Sequence, residues 1–315
     1  MYSIVSEPFG KYTRIKLINT KTQEYAAIIP DFGANVNALV LNKNEKSYQV
    51  IEGDTDPVEM VDLVEKWYRG SKLVPYPNRV ANGKYSFEGE DYKLPLNHGI
   101  HSIHGLVYKK KFSVVAQKAT EEDAIVELEY NYNRDDKGYP FKFQLNIQYV
   151  FNESGLTLVT QIKNTDDRNI PVADAWHLYF QVTSKIDECL FKIPTGEVLE
   201  VDDTLIPTGK KLVRDKYVHF AKIEDDTFDT CFILPGKKST VAVEIFDIVE
   251  DIRVSVWQET GPKKYNYIQI FSSPSRKSLA IEAMSCEPNA FNTGEGLVIL
   301  KPGDNFEASC GVRLS

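Results

Sequence analysis

A glutamate inside an apolar run is the first place where chemistry suggests itself. In Leu279-Ala280-Ile281-Glu282-Ala283-Met284 the carboxylate has apolar neighbours on both sides. Such a group must be paired or have its pKa raised. Either state is a structural option, and either also suits a general base or acid working near neutral pH. His177 is the second candidate, in the aromatic, strand-like run Ala173-Asp174-Ala175-Trp176-His177-Leu178-Tyr179-Phe180. A lone histidine there is more often a hydrogen-bonded core residue than an acid or base. Asp229, between Phe228 and Cys231-Phe232-Ile233-Leu234, shares the character of Glu282 at a strand entrance, with a turn or N-cap aspartate as the ordinary alternative.

Three of the five histidines cluster in Asn97-His98-Gly99-Ile100-His101-Ser102-Ile103-His104-Gly105. The three-residue spacing invites a metal site, but Gly99 and the lack of a carboxylate argue against one, and loop histidines without a ligand are the plainer reading. Two loops dense in Pro, Gly and Asn combine polar and aromatic residues: Val74-Pro75-Tyr76-Pro77-Asn78-Arg79-Val80 and Pro288-Asn289-Ala290-Phe291-Asn292-Thr293-Gly294-Glu295-Gly296. Rigid loops of this kind suit sugar hydroxyls and apolar ring faces, and equally serve as surface connections. There is no G-x-G-x-x-G, Walker loop, H-E-x-x-H or G-x-S-x-G, so a site that needs no cofactor is the economical expectation.

The elements that must position these residues are strands. Phe143, Leu145, Ile147, Tyr149 and Phe151 alternate with mainly polar residues, Asn152-Glu153-Ser154-Gly155 reads as a turn, and Leu156, Leu158, Thr160 and Ile162 resume the alternation. A second hairpin runs through Tyr85-Ser86-Phe87, the turn Glu88-Gly89-Glu90-Asp91 and Tyr92-Lys93-Leu94. Further strands are predicted at 12–18, 25–29, 36–41, 112–118, 124–132, 240–246, 252–257, 266–271, 278–283, 296–300 and 306–314. Only the segment after Asp56-Pro57 carries a helical pattern, through Val58, Val61, Val64 and Tyr68, with Gly70 as the stop. No strand alternates regularly with a helix, which excludes a Rossmann or TIM-type sheet, and no linker or repeat divides the chain. The expectation is one large antiparallel all-β domain over residues 1–315.

Composition narrows the partners. The chain has 315 residues, with 37 Lys+Arg against 45 Asp+Glu, and 37 − 45 leaves −8, a poor match to nucleic acid. No stretch approaches the roughly 18 apolar residues of a membrane helix, and the N-terminus lacks a basic leader and apolar core. The protein is therefore read as soluble and cytoplasmic. Cys189, Cys231, Cys286 and Cys310 show no paired spacing and read as reduced, partly buried thiols.

Several landmarks recur in a fixed order. Asn78-Arg79-Val80, Gly83-Lys84-Tyr85-Ser86-Phe87-Glu88-Gly89, Tyr92-Lys93-Leu94, Asn97 and Ile103-His104-Gly105 form a series over nearly thirty residues. Trp176-His177-Leu178-Tyr179-Phe180, Phe228-Asp229-Thr230-Cys231-Phe232, Tyr267-Ile268-Gln269-Ile270 and Ile281-Glu282 follow. Asn289-Ala290-Phe291-Asn292, Gly296-Leu297 and Leu300-Lys301-Pro302-Gly303 complete the order. The sequence thus resembles the aldose 1-epimerase (galactose mutarotase) family along nearly its whole length. The resemblance implies a β-supersandwich and cofactor-free interconversion of the α and β anomers of a free hexose, the partner being a small aldose sugar. It assigns Glu282 as the base at the C1 hydroxyl and His177 as the acid at the ring oxygen. His104, Arg79 and Asn78 would hold the ring-oxygen side and hydroxyls, and Asp229 and Gln269 further hydroxyls. The chain departs from the galactose enzymes at Trp176, at Pro75-Tyr76-Pro77 and at Ala283-Met284-Ser285-Cys286. These positions adjoin the site, so the sugar, including a hexose 6-phosphate, stays open, as do a non-catalytic sugar-binding role and the oligomeric state.

Overall fold

A computed structural model describes residues 1–315. Two large antiparallel sheets share a core of 66 buried residues. The first sheet begins as an N-terminal meander, from Tyr2–Phe9 through Lys46–Ile51. It then continues through strands distant in sequence: Ala175–Gln181, Ser278–Met284, Tyr267–Ser272, Asp229–Ile233, Glu197–Val201 and Pro207–Val213. Short strand Ser71–Leu73 adds to Ala175–Gln181. The second sheet has nine strands, among them Asp123–Asn133, Lys142–Asn152, Gly155–Asn164, Asn305–Leu314 and Ile252–Thr260.

Period-2 alternation explains this packing. In Lys142–Asn152 the five predicted apolar positions are at most 1 % exposed, while the residues between them stay partly wet. The turn places Asn152 opposite Gly155. Gly155 has φ 103°, and a Cβ there would lie 2.1 Å from the Val312 carbonyl oxygen, so the position accepts no side chain. The central strands of the first sheet behave differently, because both of their faces are covered. Trp176, Leu178, Phe180, Ile268, Ile270 and Ile281 point into the shared core. Their neighbours His177, Tyr179, Gln269, Phe271 and Glu282 must then face the opposite side, where they line a cleft.

The predicted helix forms over Pro57–Trp67. Asp56 caps it by accepting hydrogen bonds from the Val58 and Glu59 amides, and Pro57 occupies the first turn. Its end differs from expectation: Tyr68 (φ 55°) already takes the left-handed conformation and closes the helix by donating its amide to the Val64 carbonyl, two residues before Gly70, which is itself left-handed at φ 69°. The buried stripe is Met60 and Val64, packed near Phe9, Ile29 and Phe32, while the anticipated Val58 is exposed. Several short strands lay outside the expectation, including Tyr2–Phe9, Lys46–Ile51, Ser71–Leu73 and Leu190–Lys192. No helix is long and apolar enough to cross a membrane. All four cysteines are buried, unpaired thiols.

Candidate active site

The cleft, open to solvent, spans about 480 Å³ above the central strands of the first sheet. Register builds its floor. Ala175 pairs with Met284 and Leu178 with Ile281, which sets His177 opposite Glu282, while Gln269 pairs with Glu282 on the other side. His177 Nε2 lies 3.4 Å from Glu282 Oε1. Asp229, two residues from the Gln269 partner Cys231, reaches the same face and accepts a 2.6 Å hydrogen bond from Gln269 Nε2. All seven residues expected at the site, Asn78, Arg79, His104, His177, Asp229, Gln269 and Glu282, line this one cleft.

Two loops supply the polar wall. Asn78 and His104 both adopt left-handed backbone conformations, at φ 52° and 62°. They are tied reciprocally: the His104 amide donates to the Asn78 carbonyl, and the Asn78 amide donates to His104 Nδ1 at 3.3 Å. Asn97 clamps the second loop through both the amide and the carbonyl of Ile103. Arg79 donates to Asn78 Oδ1 at 3.2 Å and lies 3.9 Å from Asp229 Oδ2. The loop around Asn289 serves as a buttress and does not line the cleft. The Asn289 amide donates to the Arg79 carbonyl at 2.6 Å, and its side-chain oxygen accepts from the Ala81 amide. Phe291 is packed against Tyr76 and Tyr85, away from the site. His98 lines the cleft, whereas His101 is tied to the Asn82 amide, and no three His, Cys, Asp or Glu side chains group as a metal site.

Burial sets the protonation states. It pushes the Glu282 carboxyl well above its usual range, with repulsion from Asp229 adding to the effect and Arg79 opposing it. Burial pushes the His177 imidazole down to about 3. Burial thus favours a protonated carboxyl beside a neutral imidazole, one proton shared between two groups. Burial pushes the His104 imidazole well below its ordinary value, and the neighbouring His177, Arg79 and His98 act in the same direction. Since its Nδ1 accepts from Asn78, its Nε2 carries the proton and is a donor. His177 Nδ1, Glu282 Oε2 and Gln269 Oε1 are buried without a partner in the protein. Unpaired polar atoms converging in one cleft are the marks of a site shaped for a polar ligand.

The family model described as aldose 1-epimerase matches residues 15–313. The chain belongs to the aldose 1-epimerase family. Bovine galactose mutarotase is 26 % identical, with 98 % of this chain and 96 % of the relative covered. An uncharacterised Escherichia coli protein, YihR, is 29 % identical over 96 % of this chain and 95 % of its own. Among solved structures, a galactose mutarotase-like protein of Clostridium acetobutylicum superposes with a TM-score of 0.89 at 21 % identity, covering 100 % of this chain and 98 % of its own. A galactose 1-epimerase of Lactobacillus acidophilus gives 0.81 at 16 % identity, with 100 % and 98 % covered. The fold is thus the all-β supersandwich of the galactose mutarotase type.

Sequence reasoning missed the aromatic side of the aldose 1-epimerase cleft: Trp67, Tyr68, Tyr179 and Phe271. Two of these carried a usable signal. Tyr179 follows His177, and Phe271 follows Gln269, by two residues along a strand, and a period of two puts them on the same face. Trp67 and Tyr68 had no such signal, because their place depends on where the helix ends.

Proposed function

We propose that the protein interconverts the α and β anomers of a free aldose, with Glu282 and His177 as the catalytic pair. The observation that carries this reading is the 3.4 Å approach of His177 Nε2 to Glu282 Oε1 on the floor of a cleft walled by hydroxyl-binding groups. Ring opening starts from the tautomer with carboxylate and imidazolium. Glu282 takes the C1 hydroxyl proton, the freed electron pair closes the C1 carbonyl, the C1–O5 bond breaks, and His177 protonates O5. The pair then holds its one proton on the carboxyl, which is the protonation state that burial favours. After rotation about C1–C2, the reverse transfers close the ring from the other face and restore the pair. No net proton enters or leaves, so neither cofactor nor metal is required by the chemistry.

The other side chains fit supporting roles. The Nε2–H of His104 can donate to an oxygen beside O5, while Arg79, Asn78, Asp229 and Gln269 offer both donors and acceptors to ring hydroxyls. The Asp229 carboxylate faces Arg79, so that cation is already balanced, which favours a neutral sugar over a phosphorylated one. General acid and base catalysis contribute roughly 10² to 10⁴ in rate. Anomer-resolved NMR or polarimetry on fresh α-D-glucose, α-D-galactose and their 6-phosphates tests the reading. Acceleration confined to free sugars supports it, acceleration confined to the phosphates replaces the substrate class, and saturable binding without acceleration replaces catalysis with sugar binding.

A further inference from the structure

The cleft is lined by two arcs of side chains that both start at His177. The polar arc runs through His104, 5.0 Å away between ring centroids, to Asn78, Arg79 and Asp229. The other arc is aromatic. Tyr179 stacks on His177 at 5.2 Å, Phe271 lies 6.5 Å from Tyr179, and Trp67 lies 6.0 Å from Phe271. The arcs meet where Asp229 and Phe271 pair across neighbouring strands. The cleft thus has His104, Asn78, Arg79 and Asp229 on one arc and an aromatic wall on the other, with Trp67, whose ring centroid lies 5.3 Å from Lys66 Nζ, at the end farthest along the chain of contacts from the reacting pair.

Trp67 is held there by its backbone. It is the last residue of the helix, its carbonyl accepts a 3.1 Å hydrogen bond from the Tyr179 hydroxyl, and the left-handed turn at Tyr68 follows at once. Its indole is part-exposed, unlike that of Trp176, which is sealed in the core. A part-exposed indole fixed at the mouth of a polar cleft offers a flat apolar surface, and a pyranose has a matching one, since its C–H bonds project where its hydroxyls do not.

Resting on the mutarotase reading above, we infer that Trp67, backed by Phe271, is the surface on which the C–H face of the bound pyranose stacks. It sets affinity and orientation, because it lies away from the bonds that change. Binding at this wall is uniform between the ring-closed substrate and the transition state, so its loss raises KM more than it lowers kcat.

The test uses the full chain and two readouts. Of the three tryptophans, Trp67 alone lines the cleft, so sugar binding reports on its emission. In the Glu282→Gln background, titration with D-galactose and with D-glucose should give a saturable emission change that is absent from Glu282→Gln/Trp67→Phe. In the otherwise wild-type chain, Trp67→Ala should raise KM roughly three- to tenfold with kcat changed less than twofold, the effect of one aromatic contact. Trp67→Phe should restore KM to within about twofold, which a mere loss of folding would not allow. Catalysis in the wild type with an unchanged KM in Trp67→Ala overturns this inference alone. Neither anomer exchange nor an emission change with any aldose overturns the mutarotase reading and this inference with it.

Discussion

Lys72 Nζ lies 2.5 Å from Asp174 Oδ1, with both side chains fully buried behind the strand that carries His177. Lys72 is cross-strand partner to Trp176, sits 4.5 Å from its ring centroid and donates to Thr160 Oγ1, while the Tyr265 hydroxyl donates to the other Asp174 oxygen. Removing one partner of such a pair leaves an uncompensated buried charge. Lys72→Met is therefore expected to destabilise the fold by about 3–5 kcal/mol, and Lys72→Met/Asp174→Leu to recover much of the loss. Urea denaturation of the three proteins checks this. Equal losses in the single and double variants would show that the pair itself is not the cause.

The one-proton pair predicts the shape of the pH–rate profile. Activity is lost on the acid side when His177 and Glu282 both hold protons, and that second proton binds only near His177's depressed value of about 3. kcat/KM should therefore stay flat as pH falls through 6.5, and its alkaline limb should report the raised Glu282 carboxyl. An acid limb centred near 6.5, the ordinary histidine value, would contradict the assignment.

Asp229 raises the Glu282 pKa by charge repulsion across the cleft. Asp229→Asn should move the alkaline limb to lower pH and raise KM, since the hydrogen bond from Gln269 and the contact with Arg79 are both altered. The same profile measured on this variant decides the matter, and an unmoved limb would remove Asp229 from the electrostatics of the base.

Stability should carry the same signature with a definite sign. His177 has a folded pKa of about 3 against 6.5 unfolded, so between these values the unfolded chain binds the extra proton. Stability present above pH 6.5 is lost as pH falls through that window, by about 1.4 kcal/mol per unit for one group. Between pH 7 and 5 the wild type should lose roughly 2 kcal/mol more than His177→Asn. Urea midpoints at the two values measure this, and parallel losses would mean that His177 is not buried neutral.

Much of this site was legible in the chain because strands project side chains with a period of two. Glu282 stands out as a carboxylate in an apolar strand, and the same rule applied to His177 and Gln269 reaches Tyr179 and Phe271. Convergence was not legible, because it depends on pairings between strands about 100 residues apart, such as Ala175 with Met284. Nor was the division of labour between the two Pro- and Asn-rich loops. Both read alike in composition, yet one lines the cleft and the other buttresses Arg79 from behind. The helix end was misplaced by two residues because two left-handed residues follow in succession: Gly70 is the one legible by type, but Tyr68 comes first and closes the helix, while Gly70 (φ 69°) turns the chain to pair with Val36 and His177.

The central claim is that Glu282 and His177 exchange anomers, and magnetisation transfer between the two anomeric protons of D-galactose and of D-glucose measures that exchange directly. The wild-type protein should accelerate exchange of at least one of them, and Glu282→Gln should lose roughly 10² to 10⁴ of the acceleration while keeping an unfolding midpoint no lower than wild type. Full exchange activity in a folded Glu282→Gln protein, or a wild type that leaves every aldose at its uncatalysed rate, would contradict it.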